Sequence, residues 1–172
     1  KSLKDCINND LANNFGNLCQ RVFTFVHKNC NSCVPNFEKL SKEDEIITKN
    51  LVNKIPELNK LMNNQELNQY MKEVINFSFQ ANKYFNDQKP WDLKKTNLDR
   101  MNAIIYTILN QIKSISILLS PVIPGSSEKI LDCLGLEKKD FKIDNVINNQ
   151  FLKTGFKIKK TDILFKKIED DN

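Results

Sequence analysis

Along residues 3–28 the apolar side chains fall at Leu3, Ile7, Leu11, Phe15, Leu18, Val22 and Phe25. Steps of four and three residues put all of them on one face of a helix. Asp10, Asn13, Asn17, Arg21, Thr24 and Lys28 then share the opposite, polar face. A loop over Asn29–Phe37, containing Pro35, separates this helix from a second that starts at Ser41. Ser41 and Asp44 have the spacing of a capping box. Pro56 is expected to kink or end the second helix, because proline lacks the backbone donor and crowds the preceding turn. A third helix is predicted from about Gln65 to Asp87, with Leu67, Met71, Val74, Ser78, Ala81 and Phe85 on its inner face.

Thr96 and Asp99 are expected to cap a fourth helix over 97–119. Ile104, Ile105, Ile108, Leu109, Ile112, Ile115 and Leu119 make it apolar nearly all round, so it belongs at the centre. Pro124 suits the first turn of a fifth helix and Gly135 suits its end. After Leu136 the pattern weakens, and residues 152–172 alternate in places but are too short to build a sheet. The pattern therefore predicts an all-α fold: an antiparallel bundle of about five helices over residues 1–136, then an irregular, extended tail over 137–172. That tail packs back on the bundle or on a domain outside this sequence.

Composition narrows the class without changing it. The chain of 172 residues suits one domain, and 4 Gly and 5 Pro argue against a turn-rich β-sandwich. A formal charge of +5 permits a polyanionic partner but does not require one. With 24 Asn and abundant Lys, single copies of either residue carry little weight. Five cysteines (Cys6, Cys19, Cys30, Cys33 and Cys133) form no disulfide framework and read as reduced thiols in a cytoplasmic protein. The most apolar stretch, residues 101–124, is interrupted by Asn110, Gln111 and Lys113, so it reads as a buried helix rather than a membrane span. The chain opens on Lys1, already in helical pattern, as a piece of something longer would.

Catalytic chemistry is missing from the pattern. His27 is the single histidine and lies beside Lys28, where a solvated side chain is expected. The scattered glycines form no phosphate loop. Cys30 and Cys33 supply half of a zinc-ribbon spacing, and a structural zinc needs four ligands. The single tryptophan, Trp91, directly follows Pro90, with Lys89, Lys94 and Lys95 around it. By residue type alone it is either a core anchor that closes the bundle or a flat surface offered to a flat ligand.

Three segments, in order, resemble the anticodon-binding domain of methionyl-tRNA synthetases. They are 8-NNDLANNFGNLCQRVFTF-25, 81-ANKYFNDQKPWDLKK-95 and 118-LLSPVIPGSSEKILDCLGL-136. The first matches the family's "DLAN.FGNL.QR" opening helix and the second its "ANRY…QxPW" pattern. The third is like the "L.P.MP..A..I…LG" helix that follows the long buried one. The tail at 164–169, LFKKIE, is similar to the family's "LFPRIE", with Lys166 in place of proline. Leucyl, isoleucyl, valyl and cysteinyl enzymes share the bundle, but "GNLxQR" paired with "QxPW" resembles the methionyl type.

The resemblance implies a parent enzyme that joins methionine to its tRNA using ATP. Its catalytic domain would carry "HIGH" and "KMSKS" signatures, neither of which occurs here. ATP and any zinc would then belong to the catalytic half, with no cofactor in this chain. The implied partners are the anticodon stem-loop of the methionine tRNA and the parent's own catalytic domain, with no membrane and a monomeric state. Carried residue by residue, the family's anticodon contacts fall on Asn17, Arg21, Pro90 and Trp91, with Trp91 as a platform for the first base, a cytosine. Lys89, Lys94 and Lys95 are candidate phosphate contacts. The tail lysines Lys153, Lys157, Lys159 and Lys160 weigh less, since in the family this tail returns toward the catalytic domain. An all-helical protein-interaction scaffold anchored by Trp91 is the alternative from another class.

Overall fold

The computed structural model describes residues 3–147 and 151–160, with side chains placed from Asp5 to Val146 and from Phe151 to Lys160. The first predicted helix is present as a continuous rod in three parts: α1 (Leu3–Asp10), a π-helical segment (Leu11–Gly16) and α2 (Asn17–Asn29). The π segment has a cause in the sequence. Leu3, Ile7, Leu11 and Phe15 are spaced by successive fours, and each such step overshoots an α-helical turn by about 40°. A π turn holds more residues, so it takes up the drift. Ile7, Leu11, Phe15, Leu18 and Val22 consequently all lie buried on one side.

Helix α3 (Lys42–Asn63) begins at the predicted capping box: Asp44 N–H donates to Ser41 Oγ, and Ser41 N–H donates to Asp44 Oδ2 at 2.9 Å. It does not end at Pro56. That proline faces solvent, while Ile55 and Leu58 beside it are wholly buried. The burial of those two side chains outweighs the loss of one backbone hydrogen bond. Helix α4 (Leu67–Gln88) buries its predicted face except for Leu67, which is exposed at the helix start.

Helix α5 (Leu98–Leu119) is buried without a break from Ala103 to Leu119 and touches α2, α3, α4, α6 and α7. By length and composition it could cross a membrane, but its apolar window is 89% buried inside the bundle. Its cap is not Thr96 or Asp99. Asn97 Oδ1 accepts from Arg100 N–H at 3.1 Å, and Asp99 Oδ1 instead accepts from Glu38 N–H at 2.7 Å. Asparagine competes well for this position because its short amide reaches the free amides of the first turn. Tyr70 of α4 donates to Leu118 O at 2.6 Å, and burial pushes that phenol's pKa up to about 12.

Helix α6 (Pro124–Cys133) starts on proline, as predicted. It closes in a Schellman turn, with Leu136 N–H on Leu131 O at 2.9 Å and Gly135 N–H on Asp132 O at 3.0 Å. Gly135 has φ +84°, and a Cβ there would lie 2.5 Å from the Phe156 ring, so the position needs glycine twice over. Short helix α7 (Ile143–Ile147) follows. Among the described residues the tail contributes no strand, only one antiparallel bridge between Cys33 and Lys157. Asn110 anchors the tail, accepting from Leu152 N–H at 2.8 Å while Tyr106 OH donates to Leu152 O at 3.1 Å. The similarity noted at 164–169 lies outside the described residues.

One buried polar junction joins three helices. Asp44, 1% exposed at the start of α3, receives a two-pronged hydrogen bond from Arg100 of α5 at 2.7 and 2.9 Å. Tyr84 OH of α4 donates to the same carboxylate. Arg100 Nη2 also donates to Gln88 Oε1 at 2.9 Å, tying the end of α4 to the start of α5. Burial alone would raise the Asp44 pKa, but hydrogen bonds from Arg100, Tyr84 and Ser41, with the arginine charge, hold it below the usual carboxylate value.

Asp44→Asn is therefore expected to destabilise the fold by about 3 kcal/mol in urea unfolding, because Arg100 is left beside a neutral partner. A depressed carboxyl pKa adds stability that is fully present above about pH 4, the unfolded value, and is lost as pH falls through the folded one. The acid limb of the wild-type stability profile should accordingly be steeper than that of Asp44→Asn.

Candidate nucleic-acid interface

The candidate residues converge where α2 crosses the end of α4. Lys89 ends α4 in the left-handed conformation, φ 47° and ψ 60°, which turns the chain back over the helix. Pro90 then opens a single 3-10 turn, Pro90–Asp92, secured by Leu93 N–H on Pro90 O at 3.1 Å. Pro90 itself is buried, so it holds the turn and leaves Trp91 as the exposed member of the pair. Trp91 is 43% exposed and meets the buried ring of Phe85 edge-on, with centroids 5.4 Å apart. The indole is thus packed on Phe85 and still partly open to solvent.

Arg21 lies over the ring of the same phenylalanine, its guanidinium carbon 5.0 Å from the Phe85 centroid. Arg21 Nη2 donates to Asn86 Oδ1 at 2.9 Å. A guanidinium carries five N–H donors, and Arg21 is exposed, so donors remain for a ligand. Asn17, one turn earlier and also exposed, donates from Nδ2 to Asn13 O at 2.8 Å. Lys89, Lys94 and Lys95 are all exposed around the turn. The arrangement can stack a planar ligand on Trp91 and offer a donor fork and an amide beside it.

Sequence reading missed Phe85 and Asn86 as parts of this surface. Phe85 lies on the core face, as its spacing predicts, but it also supports Trp91 and Arg21. The signal is Pro90 two residues past the helix end at Gln88, which with the left-handed Lys89 turns the chain back onto the preceding turn. Asn14, also missed, locks helix one to α4: its Nδ2 donates to Ser78 Oγ at 3.1 Å, and Asn82 donates to its backbone and side-chain oxygens.

Other candidates lie elsewhere. His27 is half-buried rather than solvated, with Nδ1 2.8 Å from Ser32 Oγ. Cys30 is partly buried, which pushes its thiol up to about 11, and among the described residues no three His, Cys, Asp or Glu side chains converge as metal ligands would. A cleft of about 290 Å³, lined by Leu40, Val52, Tyr106 and Phe151 among others, contains none of the candidate contacts.

Comparison with known proteins gives a consistent picture. The family profile described as the anticodon binding domain of methionyl tRNA ligase matches residues 34–172. A methionine–tRNA ligase of Rickettsia felis is 36% identical over 96% of this chain, which covers 33% of that protein. One of Pyrococcus horikoshii is 31% identical over 98% of the chain, covering 22% of its length. The crystal structure of free Mycobacterium tuberculosis methionyl-tRNA synthetase superposes with a TM-score of 0.85 at 27% identity, covering 96% of this chain and 34% of that one. The chain thus spans about a third or less of the proteins it matches.

Asn17→Ala and Arg21→Ala should each leave stability within about 0.5 kcal/mol, since both side chains are exposed. Phe85→Leu should instead shift Trp91 fluorescence to longer wavelength, because the ring packed against the indole is gone. A melting curve and an emission spectrum of each variant check these outcomes.

Proposed function

The chain belongs to the family of methionyl-tRNA synthetase anticodon-binding domains, and from that premise we propose that it reads the anticodon of a methionine tRNA. The observation that carries this reading is the half-exposed Trp91, fixed by Pro90 and Phe85 next to the Arg21 donor fork. An aromatic face held rigid loses little entropy when a base stacks on it, and stacking on such platforms is how unpaired RNA bases are commonly held. Trp91 takes the first anticodon base, a cytosine. Arg21 and Asn17 meet base edges with hydrogen bonds, Pro90 acts by position, and Lys89, Lys94 and Lys95 face the backbone phosphates.

The parent protein on this reading is a methionine–tRNA ligase. ATP and any zinc are held in its catalytic part, against which this domain docks, and the present residues bind neither. The protein works in the cytoplasm as a monomer. A scaffold anchored by Trp91 is disfavoured because the relatives compared, bacterial and archaeal, are methionine–tRNA ligases. The same observation weighs against the leucyl, isoleucyl, valyl and cysteinyl types.

Trp91 tests the reading directly, because as the single tryptophan it reports on itself. Binding of a methionine anticodon stem-loop should change its fluorescence, and Trp91→Ala should weaken binding by about 1–3 kcal/mol. Trp91→Phe should retain part of the affinity. Replacing the first anticodon cytosine should cost less in the Trp91→Ala background than in wild type, since both changes remove one contact. Fluorescence that ignores the RNA, together with a melting temperature lowered by several degrees in Trp91→Ala, would identify a core anchor instead.

A further inference from the structure

Read along the sequence, the tail lysines are scattered surface charges. The fold gathers them. Gly155 N–H donates to Val34 O at 2.8 Å, Val34 N–H to Phe156 O at 2.9 Å, and Ile158 N–H to Ser32 O at 2.6 Å. This short antiparallel pairing lays residues 155–158 against the turn that immediately follows α2. It carries Lys157 and Lys160 to the end of the helix that bears Arg21. Lys160 arrives close enough to His27 that its charge, after burial, helps lower that imidazole's pKa.

Lys94, on the Trp91 loop, is near enough to Cys30, in the turn that follows α2, for its charge partly to offset the effect of burial on that thiol. Lys28 is exposed on the last turn of α2. Among the described residues none of Lys28, Lys94, Lys157 and Lys160 has an ion-pair partner, whereas Lys159 is held by Asp132 at 3.5 Å. Like charges gathered with no ion-paired counter-charge among the described residues repel one another, and a polyanion relieves that repulsion while releasing its own counterions. This end of α2 is also near the reading surface: Lys28 follows Arg21 by two helical turns, about 10 Å along the axis.

We propose that Lys28, Lys94, Lys157 and Lys160 form a phosphate-binding edge that grips the backbone of the anticodon stem-loop beside the Trp91 and Arg21 surface. The proposal rests on the anticodon reading above. A nucleic-acid backbone is favoured over an acidic peptide because Lys94 and Trp91 share one loop, so a single ligand meets both. The tail then serves the RNA as well as the bundle. The edge carries no base information, since phosphate contacts fix position rather than sequence.

The test compares wild type, Lys28→Gln/Lys157→Gln/Lys160→Gln and Trp91→Ala, each binding a methionine anticodon stem-loop and one with the first cytosine replaced, across a salt series. The side chains are exposed and the tail pairing is made by backbone, so the triple variant should keep the wild-type circular dichroism and melting temperature. Its slope of log affinity against log salt should be shallower by about 2, each phosphate contact contributing roughly 0.7–0.9. Both RNAs should weaken by the same factor, roughly tenfold or more at low salt. Trp91→Ala should show the converse, with the slope kept and discrimination between the RNAs lost. A triple variant with unchanged slope and affinity overturns the phosphate edge, and so does one that loses only the cognate RNA. Wild type that binds both RNAs equally overturns the anticodon reading, whatever the lysines do.

Discussion

The carboxylate of Asp44 is the point on which the arrangement of the helices depends. It lies in the first turn of α3, yet it is bonded by Arg100 from α5 and Tyr84 from α4. A trio of apolar side chains could hold these helices together, but it would not index their ends, because dispersion contacts slide and a two-pronged guanidinium–carboxylate pair does not. Through Gln88, Arg100 also fixes the distance between the end of α4 and the start of α5. The nine residues between those ends carry Trp91, so the junction sets the span of the loop as well as the packing beneath it.

That loop contains local strain whose purpose is visible in the geometry. Lys89 occupies the left-handed region, which costs a residue with a Cβ about 1 kcal/mol or more. The proline that follows it fixes the next φ and removes a donor. Together they reverse the chain within two residues and bring an indole onto the helix it has just left. Strain of this kind persists only where the surroundings determine it, and here the surroundings are Phe85, Arg21 and the tied helix ends.

How much of this was readable beforehand depended on range. Signals carried within one element were legible: the Ser41 and Asp44 box, Pro124 at a helix start, Gly135 past an end, and the all-round apolarity of α5. Competition between local signals was less so. Pro56 lost to the burial of Ile55 and Leu58, and Asn97 won the cap from its neighbours Thr96 and Asp99. Contacts between distant segments left almost no trace, since nothing near Asp44 announces Arg100, and nothing near Phe85 announces Arg21. The candidate residues Arg21 and Trp91 were named from their motif, but the phenylalanine that joins them was not. The tail showed its alternation but not its pairing with residues 32–34, because one strand of such a ladder specifies no partner.

The π segment of helix one has a consequence for how this chain tolerates changes in length. A residue gained or lost in a surface loop alters little beyond the loop. Between Asn17 and Arg21, in the α-helical part of the rod, it would turn every downstream position by about 100° around the axis, whereas the π stretch can shed a residue by tightening to an α turn. Phe15 is buried and Arg21 lies over Phe85 only in the present register. The rod therefore acts as a ruler whose divisions are angular as well as linear, and its six-residue π stretch is where the zero is set.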